Sequence, residues 1–252
     1  MKICLKTALA LAALPIALSS APAFAEDEPA SDITLTGSVS VTSQYRLRGV
    51  SQSDEDLAAQ GAITATHSSG FYAGIWTSNL AGFGTFGGSN MELDLIGGYS
   101  TAVGAATLDG GLVWYLYPGT DNTDYAEIYA SVSAPLGPVK GKLGVYYAPK
   151  QQAIGDVDNL YVYTDLALPI EGTPITLKAH GGYTTGSGST LAGPDGDYMD
   201  YAFGVDLAYK ALTLNVSYID TDIKKLPADA FYAVGGHTIV DGAVVATLTA
   251  AF

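Results

Sequence analysis

Cysteine is all but absent from this chain. The single residue, Cys4, falls in an N-terminal leader, so the remainder is left without a disulfide, a thiolate metal site or a thiol nucleophile. Arginine is nearly as scarce, represented by Arg46 and Arg48 alone, and 11 bases stand against 25 acids for a net charge of −14. That sign excludes electrostatic capture of nucleic acid. No apolar run of about 20 residues follows the leader, which excludes a helical membrane span. The hydrolase motifs G-x-S-x-G and H-E-x-x-H are missing. Of the three histidines, His67 falls at a tight turn and His237 in a long polar connection. Only His180 stands mid-strand, where it reads as a lining residue, so no catalytic role, cofactor or metal is expected.

The leader is MKICLKTALALAALPIALSSAPAFA: Lys2 and Lys6, an apolar stretch interrupted by Pro15, then Ala23-Phe24-Ala25. This is the layout of a signal peptide over 1–25 with an A-x-A cleavage site, and it implies export. Residues 26–32 are expected to form a short periplasmic segment ahead of a barrel over 33–252.

What the remainder has in abundance is alternation. Over 33–48, Leu35, Gly37, Val39, Val41, Tyr45 and Leu47 oppose Thr34, Thr36, Ser38, Ser40, Thr42, Gln44, Arg46 and Arg48, the period-2 signature of a strand with one apolar face. The pattern returns at 59–67, 71–79, 89–99, 107–117, 124–134, 139–148, 159–168, 175–184, 198–209, 211–220 and 242–252, which predicts twelve strands. Short turns such as His67-Ser68-Ser69-Gly70 and Pro135-Leu136-Gly137-Pro138 interleave with longer polar connections at 49–58, 80–88, 118–123, 149–158, 185–197 and 221–241. An all-β, antiparallel, up-and-down meander of spanning-length strands that turns tightly at one end and loosely at the other is the plan of a transmembrane barrel in a Gram-negative outer membrane. A soluble β-sandwich also alternates, but it gives no reason for that rhythm or for a chain ending TLTAAF. The terminal Phe252 on an alternating strand resembles the signal read by the outer-membrane assembly machinery. An even strand count puts both termini at the periplasmic end.

With apolar faces turned to lipid and lipopolysaccharide, the polar faces line the lumen. Arg46, Arg48, Glu92, Asp94, Glu127 and Asp200 are expected in its outer half; Asp109, Lys140, Lys142, Asp165, Lys178, His180 and Asp206 in its inner half. A Lys or Arg on the lipid face costs about 2–4 kcal/mol near the midplane, which is why the charges keep to one face. Neighbouring strands bring Glu127 toward Lys140 and Lys142, and Lys178 between Asp165 and Asp206. Aromatics at strand ends predict two interfacial girdles: Tyr45, Trp114, Tyr117, Tyr125, Tyr147, Tyr183, Tyr201 and Tyr218 at the loop end, with Phe71, Tyr72, Tyr99, Tyr209 and Phe252 at the turn end. Acid clusters in the long loops (Asp54-Glu55-Asp56, Asp156 with Asp158, Asp195 with Asp197, Asp220 with Asp222) read as solvated surfaces, with divalent-cation binding as the alternative.

Two residue runs carry a family resemblance. SQYRLRGVSQSDEDLAAQGAITATHSSGFYAGIWTSNL and NMELDLIGGYS resemble the TorF-type porins of proteobacterial outer membranes, which share a YRxRGxSQSD opening, GFYAGxWxSN and an acidic ELD strand. The resemblance implies a β-barrel with a porin role, passing small hydrophilic solutes. Twelve strands lie between barrels packed solid and those with a water channel, so a closed structural or adhesive barrel stands as the alternative, and an outer-membrane hydrolase as a remote one. Arg46 and Arg48, sharing one face of the first strand, are expected to oppose Glu92 and Asp94 across the lumen or to anchor the acidic loop at 54–56.

Overall fold

In a computed structural model describing residues 32–224, 233–234 and 237–252, the chain closes into a twelve-stranded antiparallel barrel. The strands are β1 (Ile33–Thr42), β2 (Arg46–Leu47), β3 (Val50–Ser51), β4 (Ala58–His67), β5 (Phe71–Asn79), β6 (Met91–Val103), β7 (Ala106–Leu116) and β8 (Tyr125–Leu136). They continue as β9 (Val139–Gln151), β10 (Val157–Pro169), β11 (Ile175–Thr185), β12 (Asp197–Tyr209), β13 (Leu212–Thr221), β14 (Ala233–Val234), β15 (His237–Thr238) and β16 (Ala243–Ala251). The wall runs β1, β4 to β13 and β16 in order, and β16 pairs with β1 through Val39↔Ala250 and Val41↔Leu248. Reciprocal bonds between Gly37 and Phe252 (2.8 and 2.9 Å) complete the seam. Closure gives every wall strand two partners, which a strand in hydrocarbon requires. The expected leader at 1–25 and residues 26–31 lie outside the described residues.

Alternation sorts the side chains as the pattern requires. Leu35, Leu112, Leu143, Val162, Phe203 and Leu248 are exposed around the outside, while the opposite parity turns inward. Of the expected girdles, Trp114, Tyr147, Tyr183 and Tyr218 face outward near the loop end, and Phe71, Tyr99, Tyr209 and Phe252 near the turn end. Tyr45, Tyr117 and Tyr125 do not belong to a girdle: they are buried inside the barrel, and Tyr72 points inward, where its hydroxyl donates to Asp109 at 2.7 Å.

The first strand is shorter than its pattern. Pairing of β1 stops at Thr42, opposite Ala58 and Thr247, and 45–52 leaves the wall as a separate hairpin, β2 on β3. Alternation continues through it because a hairpin has the same period as a spanning strand; nothing local marks the departure.

Candidate functional site

The hairpin folds over the loop end of the lumen. Its two-residue turn is Arg48-Gly49, both at positive φ (48° and 82°), the signature of a type I′ turn. Glycine suits this backbone, and a Cβ on Gly49 would collide with the Thr221 methyl and come within 3.1 Å of Asp200 Cβ. An arginine there costs about 1–3 kcal/mol, so its side chain must be held strongly. Arg48 Nη2 donates to both oxygens of Glu127, at 2.8 and 2.6 Å. The guanidinium also lies 4.3 Å from the ring centre of Tyr161 and 5.7 Å from that of Tyr146. Tyr115 donates to Glu127 at 3.0 Å, and Tyr198 donates to the Arg48 carbonyl at 3.1 Å. Arg48 and Glu127 side chains are 6% and 0% exposed, so removing one partner would strand a buried charge. The hairpin backbone is tied down by Gln52 N–H to Tyr45 (2.7 Å) and Ser51 N–H to Ile239 (3.0 Å).

Arg46 has a different task. It donates to Gln44 Oε1 (2.8 Å) and to the Gly49 carbonyl (2.7 Å), and pairs with Glu55 at 3.3 Å. It braces the turn and the acidic loop. Of the expected roles, Arg46 takes the anchoring of the acidic loop, while Arg48 meets Glu127 instead of either expected partner. The two arginines share no strand face, and neither pairs with Glu92 or Asp94.

Beneath the hairpin the loop-end half of the lumen is filled by aromatic rings: Tyr45, Trp76, Tyr115, Tyr117, Tyr125, Tyr129, Tyr146, Tyr161 and Tyr163 are all buried. Ring-to-ring contacts run from Tyr129 to Tyr146 (5.4 Å), Tyr146 to Tyr163 (5.9 Å) and Tyr163 to Tyr161 (5.7 Å). Room for these rings comes from small inward positions; a Cβ on Gly144 would lie 2.5 Å from the Tyr163 ring. Four carboxylates, Glu92, Asp94, Glu127 and Asp200, are buried in this half.

The turn-end half is polar and more open. Lys178 meets Asp206 at 3.6 Å with side chains 12% and 14% exposed. His180 Nδ1 lies 2.6 Å from Asp165, and its Nε2 lies 2.9 Å from both Asp200 and Tyr161 Oη. Lys142 Nζ sits 5.1 Å from the Tyr163 ring centre, and Lys140 is exposed. Glu127 lies on the strand beside Lys140 and Lys142 without meeting them: Lys142 is opposite Ser133, three same-face steps or roughly 20 Å along the strand from Glu127. The charges occupy one arc, β7 and β9 to β12. The facing arc of β13, β16 and β1 carries Asn215, Ser217, Thr247, Thr249, Ser38 and Ser40, linked by bonds such as Ser40 to Thr249 at 2.9 Å and Thr247 to Thr42 at 2.8 Å.

The inward tyrosines are what a search for charges misses. A signal existed: Tyr125 and Tyr129 share the parity of Glu127, Tyr146 that of Lys142, and Tyr161 and Tyr163 that of Asp165.

The chain belongs to the family described as bacterial protein of unknown function (Gcw_chp), whose model matches residues 26–252. No curated protein matches it in sequence. Among solved structures it is similar to the NanC porin, with 10% identity, a TM-score of 0.59, and 87% of this chain against 99% of that one covered. Lower similarity is found to the COG4313 outer membrane channel from Pseudomonas putida F1 (10% identity, TM-score 0.45, 90% and 100% covered) and to LpxR from Salmonella typhimurium (7%, 0.44, 86% and 99%). The protein thus has the fold of an outer-membrane β-barrel.

Proposed function

We propose that the chain is an outer-membrane channel of the TorF type for passive diffusion of small hydrophilic solutes, in a constricted form whose plug is the 45–52 hairpin. Its turn end and both termini face the periplasm, its long loops face outward among lipopolysaccharide, and Phe252 is the residue offered to the assembly machinery. The observation that carries the reading is the contrast along the lumen. Lys178, Asp206, Asp165 and His180 at the turn end keep partial exposure inside a closed wall, as in a hydrated vestibule, and one discrete hairpin, held at its tip by Arg48 on Glu127, covers the other end. A packed structural interior has no use for the first and no need of the second. The lumen acids outnumber its bases, so conduction favours cations mildly, and less so at high salt as the charges are screened.

The competing reading is a closed surface barrel, favoured by the tightly packed aromatic half. Planar-bilayer recording on purified, refolded protein and on a variant with 45–52 replaced by a short Gly/Ser linker separates them. A channel conducts, more in the variant; a structural barrel is silent in both.

A further inference from the structure

Burying a carboxylate costs several kcal/mol unless a counter-charge or hydrogen-bond donors compensate it, so each of the four buried carboxylates in the loop-end half needs an answer. Glu127 has Arg48 and Tyr115. Asp200 has His180 and Tyr161. Glu92 and Asp94 have no base: among the described ion pairs none involves either residue. They are 0% and 6% exposed, two residues apart on the inward face of β6, and their carboxyl groups meet side by side. Among the described residues the one side-chain donor to the pair is Tyr45, whose hydroxyl reaches Glu92 Oε1 at 3.3 Å. Glu92 Oε2 and Asp94 Oδ1 are buried without a hydrogen-bond donor among the described residues. Around the pair stand further oxygen-bearing or aromatic groups. Ser78 and Trp76 are opposite Glu92 and Asp94 on β5, and Tyr115 is opposite Asp94 on β7.

Two carboxylates in contact, each with an orphaned oxygen and neither ion-paired with a base among the described residues, require something positive between them. We propose that Glu92 and Asp94 bind a hard, oxygen-seeking metal cation in the lumen wall beneath the hairpin, with the Tyr45 hydroxyl as its neighbour. Hardness follows from the donor set, which is oxygen throughout, with no thiolate or imidazole at hand. The site is independent of whether the barrel conducts. It neutralises the wall against which Tyr45, the first residue of the hairpin segment, is packed.

Terbium luminescence tests the site, because Trp76 and the surrounding tyrosines are placed to sensitise a lanthanide held there. In refolded barrel at constant ionic strength, the expected result is a saturable Tb³⁺ emission displaced by Ca²⁺, with Na⁺ as the competitor that reports valence, and a higher heat-modification temperature with Ca²⁺ than with chelator. Glu92→Gln with Asp94→Asn, close in shape and uncharged, is expected to abolish both effects while the barrel still assembles. If that pair of changes prevents assembly, Asp94→Asn alone is expected to weaken Tb³⁺ binding at least tenfold. Emission unchanged in the folded variant would place the ion in the acidic loops and overturn the proposal. So would an absence of saturable emission in the unaltered protein, which leaves a proton shared between the two carboxyls as the compensating charge.

Discussion

The two halves of the lumen are built by the same strands and answer charge in opposite ways. At the loop end, aromatic rings exclude water, and the one Arg–carboxylate pair among the described residues there is the buried contact of Glu127 with Arg48. At the turn end, Lys178, Asp206, Asp165 and His180 keep 12–27% of their side-chain surface, and water shares the work of solvation. Low effective dielectric makes a pair in the first half strong and its loss severe; hydration makes a pair in the second half weak and its loss mild. A barrel wall therefore does not have one interior. What fills the lumen at each depth decides what a charge there is worth.

The sharpest way to break this contrast is Arg48→Ala. It strands Glu127 in the aromatic half, with an expected cost of about 3–5 kcal/mol, seen as a lower heat-modification temperature. It also frees the hairpin, so single-channel conductance is expected to rise. Unchanged conductance in the folded variant would remove the hairpin from any gating role. Next in size is Gly144→Val, which drives a side chain into the Tyr163 ring. Overpacking of this kind is expected to cost about 1–3 kcal/mol, measurable by urea unfolding in detergent. A wild-type midpoint would mean that the aromatic half is looser than described.

The turn-end half should respond differently. Removing the hydrated pair with Lys178→Ala and Asp206→Ala together is expected to change stability by about 1 kcal/mol or less, while Lys178→Ala alone shifts the reversal potential further toward cations. A large loss of stability would show that this half is as dry as the other. Similar in stability but without an electrical effect is Thr249→Ala on the neutral arc, which removes the bond to Ser40. About 0.5–1.5 kcal/mol is expected, with no change in ion selectivity.

Legibility differed between the wall and its contents. Strands at 71–79, 175–185 and 197–209 lie within a residue of where alternation puts them, because a wall with lipid on one side and a polar lumen on the other imposes strict parity along its length. Parity also placed Asp109, Lys142, Asp165, Lys178, His180 and Asp206 on inward positions. It erred at 43–48, where the pattern is that of a strand but the residues form a hairpin, and at Tyr45, Tyr72, Tyr117 and Tyr125, where position near a strand end suggested a girdle. Tyrosine is amphipathic, so its presence at a strand end is compatible with the membrane interface or with a hydrogen-bonded lumen. Parity shared with a charge, Asp109 for Tyr117 and Glu127 for Tyr125, distinguishes the two there; β5 carries no charge to mark Tyr72, and Tyr45 belongs to the hairpin.

By itself the sequence determined the barrel: its strand number, the face each strand turns to lipid, and the depth of the charges on the wall strands, all of which follow from a period of two and from where turns interrupt it. The partners of those charges were decided by the tertiary structure. Glu127 pairs with a residue 79 positions away in sequence rather than with Lys142 on the neighbouring strand, and Glu92 and Asp94 are left facing each other. The physical reason is that pairing across a lumen depends on how far a hairpin descends into it and on which rings fill the remaining space. Neither quantity has a period along the chain.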